Sequence, residues 1–239
     1  MKRIALLIGN SNGLPGVKKD IAHWIQFLES DQGGQWTDDE IIISMNPAKY
    51  SLLLTINRIK ASRPDFAIVV FSGHGAYQKS TILEINENEE VINEDDLIGI
   101  ASRQISVFDC CRNILIENLS ESHKSMRMFS DGGSFKRNIR PYYDARIMSA
   151  IEQQIRLYAC SVNESALDTG DGGLYTTNLL KCSSYIPNSY KLVGIAHEEA
   201  REHTVRDAIL RKHTQNPDST LPKCLSSQQL IIAINPNNF

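Results

Sequence analysis

The sequence lacks several features that would each indicate a particular class of protein. It has no excess of positive charge, since 25 Lys and Arg stand against 28 Asp and Glu, and this argues against binding a nucleic-acid backbone. No apolar run approaches the roughly 20 residues that span a bilayer. The apolar run at residues 4–8 is too short for a signal peptide. We therefore expect a cytoplasmic protein that binds neither nucleic acid nor membrane.

The cysteines lack the spacing of a metal or redox motif. Five are present, and no two of them form a Cys-x-x-Cys pair, which argues against a zinc ribbon. Their odd number favours free thiols in a reducing compartment. Because a buried free cysteine most often acts as a small apolar side chain, we interpret Cys160, Cys182 and Cys224 in that way.

Apolar runs that alternate with amphipathic stretches predict the fold. Buried runs of this kind, separated by helices, are typical of a single α/β domain with a mainly parallel sheet and helices on both faces. The predicted strands are residues 3–9, 40–45, 65–71, 81–85, 104–108, 155–160 and 230–234. The predicted helices are residues 18–29, 51–61, 145–151, 174–180 and 198–212.

Two reactive side chains follow buried strands of this predicted sheet. His74 lies just beyond the strand at 65–71, and Cys111 lies just beyond the strand at 104–108. Sites in open α/β sheets collect at the carboxyl ends of strands, so the two side chains meet if these strands are neighbours. A thiol beside an imidazole is the minimal pair for a cysteine nucleophile, because the imidazole accepts the thiol proton.

Glycines flank the histidine. Gly73 and Gly75 allow the backbone to approach a substrate closely. The backbone N–H groups of Gly75 and Cys111 could both point at one oxyanion, which is the usual electrostatic contribution in acyl transfer. These residues predict His74 as the base, Cys111 as the nucleophile and Gly75 with Cys111 as the oxyanion hole.

The two motifs resemble those of the caspase and metacaspase clan. Residues 71–75, Phe-Ser-Gly-His-Gly, are similar to the clan's histidine motif, and residues 107–113, Val-Phe-Asp-Cys-Cys-Arg-Asn, are similar to its cysteine motif. The resemblance extends to Ile8-Gly9-Asn10, to Asp20 and to residues 173–176, Gly-Leu-Tyr-Thr. It implies a caspase-like three-layer sandwich and a cysteine endopeptidase that acts on a protein substrate, with no required cofactor.

The sequence departs from the clan in two places. Metacaspases follow the cysteine with His-Ser-Gly, whereas this chain has Arg112-Asn113. The interval from His74 to Cys111 is 37 positions (111 − 74), shorter than the roughly 50 of caspases. We interpret the chain as a compact, prokaryotic-type caspase domain. Compact caspase-like proteases often belong to cell-death or immune systems, and the resemblance implies such a pathway here.

The resemblance also implies a pocket for the residue before the scissile bond. Metacaspases accept Arg or Lys there with two aspartates, which match Asp109 and Asp20 in this chain. A carboxylate that faces a guanidinium makes a charge-assisted, often bidentate contact. Tyr158 and Ser161, at the end of a strand on the same edge, are predicted to line the pocket.

Metal binding is a weaker expectation. Some metacaspases bind calcium near a pair of aspartates that matches Asp95-Asp96. Calcium prefers several carboxylate oxygens, but this acidic stretch has no EF-hand pattern, and such a stretch is usually a solvated surface. We therefore predict no metal site, with calcium as the one alternative.

A Ser-, Lys- and Gly-rich segment divides the domain. We interpret 1–112 as the large-subunit-like part, 113–144 as a mobile loop and 145–239 as the small-subunit-like part. The basic residues of the loop would suit self-cleavage by a protease with a basic preference; they are Lys124, Arg127, Lys136, Arg137 and Arg140. A homodimer or a regulatory partner is compatible with this arrangement.

Two alternatives belong to other functional classes. A pseudoprotease would keep the fold and bind a partner, but it would be expected to lack His74 or Cys111. A flavodoxin-like module would need a phosphate-binding turn after the first strand. The turn at residues 13–16, Gly-Leu-Pro-Gly, has no Gly-Lys-Ser/Thr signature, which argues against that class.

Overall fold

A six-stranded sheet forms the centre of the protein in the computed structural model, which describes residues 1–114 and 138–239. The central strands are parallel to one another, and only the edge strand β10 is antiparallel. The prediction of a mainly parallel sheet is confirmed. In spatial order the strands are β10 (Asp218–Thr220), β8 (Gln153–Tyr158), β7 (Arg103–Asp109), β3 (Phe66–Ser72), β1 (Arg3–Gly9) and β2 (Ile41–Met45).

Helices cover both faces of this sheet, as predicted. Odd-numbered residues of β1, such as Ala5 and Leu7, pack with four of the described helices in one apolar cluster. The even-numbered Leu6 and Ile8 pack with α2 on the other face, because side chains alternate along a strand. The helices are α1 (Val17–Glu29), α2 (Lys49–Ala61), α3 (Arg140–Ser149), α4 (Leu174–Ser184) and α5 (Val193–Leu210).

Two small sheets complete the described structure. Strands β4 (Gly75–Gln78), β5 (Ser80–Glu84) and β6 (Val91–Asn93) form an antiparallel sheet that packs beside α2. Strands β9 (Tyr190–Leu192) and β11 (Ile231–Ile234) pair with each other on the opposite face. The short strands β4, β6, β9 and β10 are not apparent in the sequence, because three or four residues carry too little periodicity.

Two helices begin five residues upstream of the prediction. Helix α3 begins at Arg140 rather than 145, and α5 begins at Val193 rather than 198. The predicted loop at 113–144 is therefore too long at its downstream end, where Pro141 occupies the first turn of a helix. Lys124, Arg127, Lys136 and Arg137 lie outside the described residues, so self-cleavage at those positions stays a prediction.

A buried ionic cluster ties α3 to the amino end of the sheet. The Arg3 side chain is inaccessible to solvent, and it contacts Glu40 at 3.2 Å and Asp144 at 2.9 Å. Arg140 forms a second ion pair with Glu40. Since its guanidinium is engaged and its backbone is helical, Arg140 is a poor site for self-cleavage.

All five cysteines are free in the structure, and Cys110, Cys160 and Cys182 are buried. Cys224 is only half-buried, which corrects its interpretation as a buried side chain. Among the helices of the described ranges, 1–114 and 138–239, none is long and apolar enough to cross a bilayer.

Candidate active site

Strands β3 and β7 are neighbours, so they bring the two reactive side chains to one edge. Their register pairs Ser72 with Asp109 at the carboxyl ends. His74 and Cys111 each lie two residues beyond that pair. The adjacency on which the predicted dyad depends is therefore present in the fold.

The imidazole of His74 is oriented by a backbone carbonyl. Its Nε2 lies 2.7 Å from the carbonyl oxygen of Asn12, in the loop after β1. Because a carbonyl oxygen only accepts hydrogen bonds, Nε2 carries the proton in this contact. The neutral ring then has an unprotonated Nδ1, which is the atom that can act as a base.

The Cys111 thiol is held in its protonated form. Burial raises its pKa, and the negative charge of Asp109 adds to this effect, while contacts with Ala166 and Ser165 oppose it. Its Sγ lies 3.9 Å from the carbonyl oxygen of Ala166. In the part of the chain that the structure describes, no hydrogen bond joins the side chains of His74 and Cys111. The two groups share an edge but are not engaged with each other in this state.

The backbone of β4 directs an N–H group towards the cysteine. Glu84 N–H donates to the His74 carbonyl at 3.1 Å, which makes these two residues a hydrogen-bonded pair of the antiparallel ladder. The next pair contains Gly75, and its N–H must point away from β5. Tyr77, two residues on, points the same way and donates to Asn113 at 2.9 Å. The Gly75 N–H therefore faces the segment that contains Cys111.

Gly75 also packs against that segment more closely than another residue could. A Cβ atom at this position would lie 2.6 Å from Cys110 Sγ and 2.8 Å from the Cys111 carbonyl oxygen. Any side chain would push β4 away from the cysteine segment. This contact explains why a glycine follows His74.

Two buried carboxylates lie behind this edge. Asp20 is 1% exposed and accepts hydrogen bonds from Ser72 Oγ at 2.7 Å and Gly173 N–H at 2.9 Å. Asp109 is 5% exposed, and its Oδ2 accepts from Thr176 N–H at 3.0 Å and Thr176 Oγ1 at 2.6 Å. Asp109 thus occupies the N-terminal end of α4, where the helix dipole favours a negative charge.

A third carboxylate joins them from the loop after β8. Asp168 is half-buried and accepts hydrogen bonds from Gly16 N–H at 3.0 Å and Gly170 N–H at 2.8 Å. Burial raises the pKa of Asp20 well above its ordinary value, and the charges of Asp109 and Asp168 raise it further. Burial likewise raises the pKa of Asp109 to about 6, with Asp168 adding to the effect.

No cation balances these three charges within the described residues. None of the lysines, arginines or histidines placed in the structure forms an ion pair with Asp20, Asp109 or Asp168. A buried carboxylate without a cation is costly unless it is protonated or awaits a partner. Raised pKa values of Asp20 and Asp109 are one consequence of this arrangement, and chemical suitability for a positively charged group is the other.

The arrangement of strand ends, histidine and cysteine agrees with a comparison of the whole sequence. The model of the caspase domain matches residues 2–217. The chain belongs to the caspase domain family. Membership in this family indicates a hydrolase of the cysteine peptidase class. No protein of curated function matches the sequence directly.

Solved structures show the same fold. Caspase-1 from Spodoptera frugiperda superposes with a TM-score of 0.62 at 12% identity, over 97% of this chain and 89% of that chain. A protein from Geobacter sulfurreducens superposes with a TM-score of 0.55 at 13% identity, over 92% of this chain and 93% of that chain. At such low identity the two comparisons establish the architecture alone, and this confirms the caspase-like sandwich.

The fold places one predicted pocket residue away from the carboxylates. Tyr158 stacks on Phe108 on the opposite face of the sheet from Asp109, and its hydroxyl donates to Glu94 at 2.7 Å. Because successive side chains alternate, a residue paired with Phe108 cannot share the face of Asp109. The Ser161 hydroxyl donates to the Asn216 carbonyl at 2.9 Å. The prediction that Tyr158 lines the pocket is corrected by its position, and the assignment of Ser161 to the pocket stays a prediction.

The sequence interpretation missed two residues of the site. Asp168 lies 148 positions from Asp20 (168 − 20), and Asn12 contributes only a backbone oxygen. The signal for Asp168 was its place in a Gly-rich loop after the fifth parallel strand, at the same carboxyl edge. No side-chain pattern could have identified Asn12.

The candidate calcium residues are engaged elsewhere in the fold. Asp95 contacts Arg156 at 3.4 Å, and Asp96 accepts from Asn93 N–H at 2.9 Å at the start of a short helical turn. Over the described residues, no group of three or more His, Cys, Asp and Glu side chains has the arrangement of a metal site.

Proposed function

We propose that this caspase domain is a cysteine endopeptidase that cleaves proteins after Arg or Lys. The observation that carries the proposal is the group of three carboxylates without a cation, at the strand edge that also presents His74 and Cys111. The basic side chain before the scissile bond supplies the missing positive charge.

The chemistry begins with transfer of the Cys111 proton to Nδ1 of His74. The thiolate attacks the substrate carbonyl carbon, the C–N bond breaks, and the leaving amine takes the proton from His74. The thioester that remains is hydrolysed by a water whose proton passes to His74 and then to the departing sulfur. Because burial raises the pKa of the thiol, this base is required for attack near neutral pH.

Backbone N–H groups stabilise the oxyanion that forms during attack. The Gly75 N–H faces the cysteine segment, and the Cys111 N–H belongs to the nucleophile itself. Loss of one such donor typically costs about 10²–10³-fold in rate. Asn12 contributes by keeping the proton on Nε2 of His74, which leaves Nδ1 free to accept.

The negative charge of the pocket gives it a preference for a basic side chain. Asp20, Asp109 and Asp168 already accept backbone or hydroxyl hydrogen bonds, which hold them in place for a guanidinium or ammonium group. A hydrogen bond to a charged group contributes about 1.5–3 kcal/mol. A substrate with Asp or Leu at this position would leave the three charges unbalanced and would be rejected.

The resting pocket is closed by the turn at 168–173. A Cβ atom on Gly172 would lie 2.5 Å from Asp20 Oδ1, and Lys19 pairs with Asp171 at 2.6 Å on the outside of the turn. Since Asp20 and Asp109 are almost inaccessible, the basic side chain enters only when this turn shifts. The enzyme is therefore latent until substrate or an activating event opens the turn.

The test is cleavage of fluorogenic peptides that carry Arg, Lys, Asp or Leu before the scissile bond. Turnover of the Arg and Lys peptides by the wild type, and its loss in Cys111→Ala, is the expected result. Turnover only of the Asp or Leu peptide would support the dyad and contradict the proposed role of the carboxylates in binding a basic side chain.

A second candidate function is that of a catalytically silent module that binds a partner. The observations in its favour are the protonated thiol and the absence of a hydrogen bond between His74 and Cys111. A reactive arginyl ketone, which alkylates only a competent cysteine, separates the two functions. Labelling of Cys111 excludes the silent module, whereas an unlabelled, folded protein would support it.

A further inference from the structure

Asn10 lies directly after β1, beside the histidine motif, and is completely buried. Its N–H donates to the Ser72 carbonyl at 2.9 Å. A Cβ atom on Gly73 would lie 2.9 Å from Asn10 Cβ. The side chain is thus enclosed next to the backbone that carries His74, although it does not touch the imidazole.

Both polar atoms of the Asn10 side chain form hydrogen bonds. Its Nδ2 donates to the Glu84 carbonyl at 3.0 Å and to Glu84 Oε1 at 3.1 Å. Its Oδ1 accepts from the Asn12 N–H at 3.2 Å, which fixes the turn that contains Asn12. An amide is the group that donates at one end and accepts at the other within this length.

These contacts close a ring of hydrogen bonds that begins and ends on one residue. The Glu84 N–H donates to the His74 carbonyl, and Asn10 joins Glu84 to the turn of Asn12. The Asn12 carbonyl then accepts from His74 Nε2 at 2.7 Å. The ring links the backbone of His74 to its own imidazole through three other residues.

We infer that Asn10 is a positioning residue, which sets the orientation of the His74 imidazole by holding the Asn12 carbonyl in place. The inference rests on the proposed function, because it assigns His74 as the base. Asn10 forms its side-chain hydrogen bonds with Glu84 and Asn12 rather than with the pocket carboxylates or Cys111, so its loss affects the proton-transfer step and leaves substrate binding intact. A displacement of about 1 Å in a reacting group can cost about 10²-fold in rate.

The primary variant is Asn10→Ala, which opens the ring at both ends. We expect kcat for an Arg peptide to fall about 10²-fold, while KM stays unchanged. Asn178→Ala is the matched control, because Asn178 is also buried and donates to Thr204 of α5 at 3.2 Å, and it takes no part in the ring of hydrogen bonds around His74. The control should lose thermal stability without a change in kcat.

A rescue experiment distinguishes orientation from packing. Asn10→Asp keeps the acceptor for Asn12 but places a carboxylate against Glu84, so kcat falls. The addition of Glu84→Gln restores a donor on the other side of that bond. We expect the double variant to recover part of kcat, which a role in packing alone does not explain.

A structural readout tests the inference even if no peptide is cleaved. Nitrogen–proton correlation NMR of the imidazole should show the proton on Nε2 of His74 in the wild type and a mixture of tautomers in Asn10→Ala. A wild type without peptidase activity would overturn the proposed function. The NMR difference would still support the role of Asn10 in orienting the His74 imidazole.

The inference is overturned by either of two results. One is a folded Asn10→Ala protein with wild-type kcat and an unchanged imidazole spectrum. The other is an equal loss of kcat in Asn178→Ala, which would attribute the effect to general destabilisation.

Discussion

The carboxylates at the two ends of the central sheet differ in whether a cation pairs with them. At the amino end, Glu40 and Asp144 are balanced by Arg3 and Arg140. At the carboxyl end, Asp20 and Asp109 are buried, and no cation placed by the structure pairs with them. The first cluster joins elements of the fold, whereas the second, in the function proposed above, receives a positive charge from the substrate.

The largest expected effect comes from breaking the balanced cluster. Arg3→Met removes the cation and leaves two carboxylates without it, which should lower the free energy of unfolding by about 3–5 kcal/mol. Urea denaturation measures this loss. Arg103→Met is the control, because Arg103 begins β7 and donates to the Ala150 carbonyl rather than to a carboxylate. An equal loss in both variants would show that charge balance is not what Arg3 contributes.

Removal of a charge from the unbalanced cluster should reduce activity without reducing stability. Asp109→Asn should lower kcat/KM for Arg peptides about 10²-fold, equivalent to the roughly 1.5–3 kcal/mol of a charge-assisted hydrogen bond. The free energy of unfolding of this variant at neutral pH should not fall, because the substitution removes a buried charge that is costly to keep without a cation. Asp38→Asn, at an exposed aspartate, is the control for both measurements. A large loss of stability in Asp109→Asn would assign Asp109 to the fold as a cap of α4.

The pH dependence of stability and of cleavage tests the same contrast between the two carboxylate clusters. Burial raises the pKa of Asp109 from 3.8 to about 6, so the folded protein keeps a proton that the unfolded chain has released. The stability from this neutral carboxyl is complete below 3.8 and is lost as pH rises through about 6. Over that range, the wild type should lose more stability than Asp109→Asn, and its cleavage of Arg peptides should rise as the carboxyl ionises. Parallel stability curves for the two proteins would contradict the assignment.

The smallest effect concerns the turn that closes the pocket. Lys19→Ala removes the exposed pair with Asp171, and such pairs contribute about 0–1 kcal/mol. We expect a small decrease in KM for Arg peptides, because the turn opens more readily. Arg201→Ala, which removes an exposed pair on α5, should leave KM unchanged. An increase in KM in Lys19→Ala would show that the pair helps to build the pocket instead of closing it.

Much of the site could be predicted from the sequence because its parts follow strong local patterns. The apolar strands that end before His74 and Cys111 are visible as continuous runs, and parallel strands place their carboxyl ends together. Asp20 and Asp109 were found through their resemblance to a known pocket. Tyr158 was misplaced, because a residue at the right strand end can still face the wrong side of the sheet.

The sequence by itself determined the order of the parallel strands and of the helices, the class of fold and the two residues of the predicted dyad. Each of these depends on local periodicity or on a short motif, which a linear chain displays directly. Only the tertiary structure decided that Asp168 joins Asp20 and Asp109, that no described cation balances them, and that Asn10 links Glu84 to Asn12. Those relations join residues far apart in the chain, and the path of the loops between strands decides which of them meet.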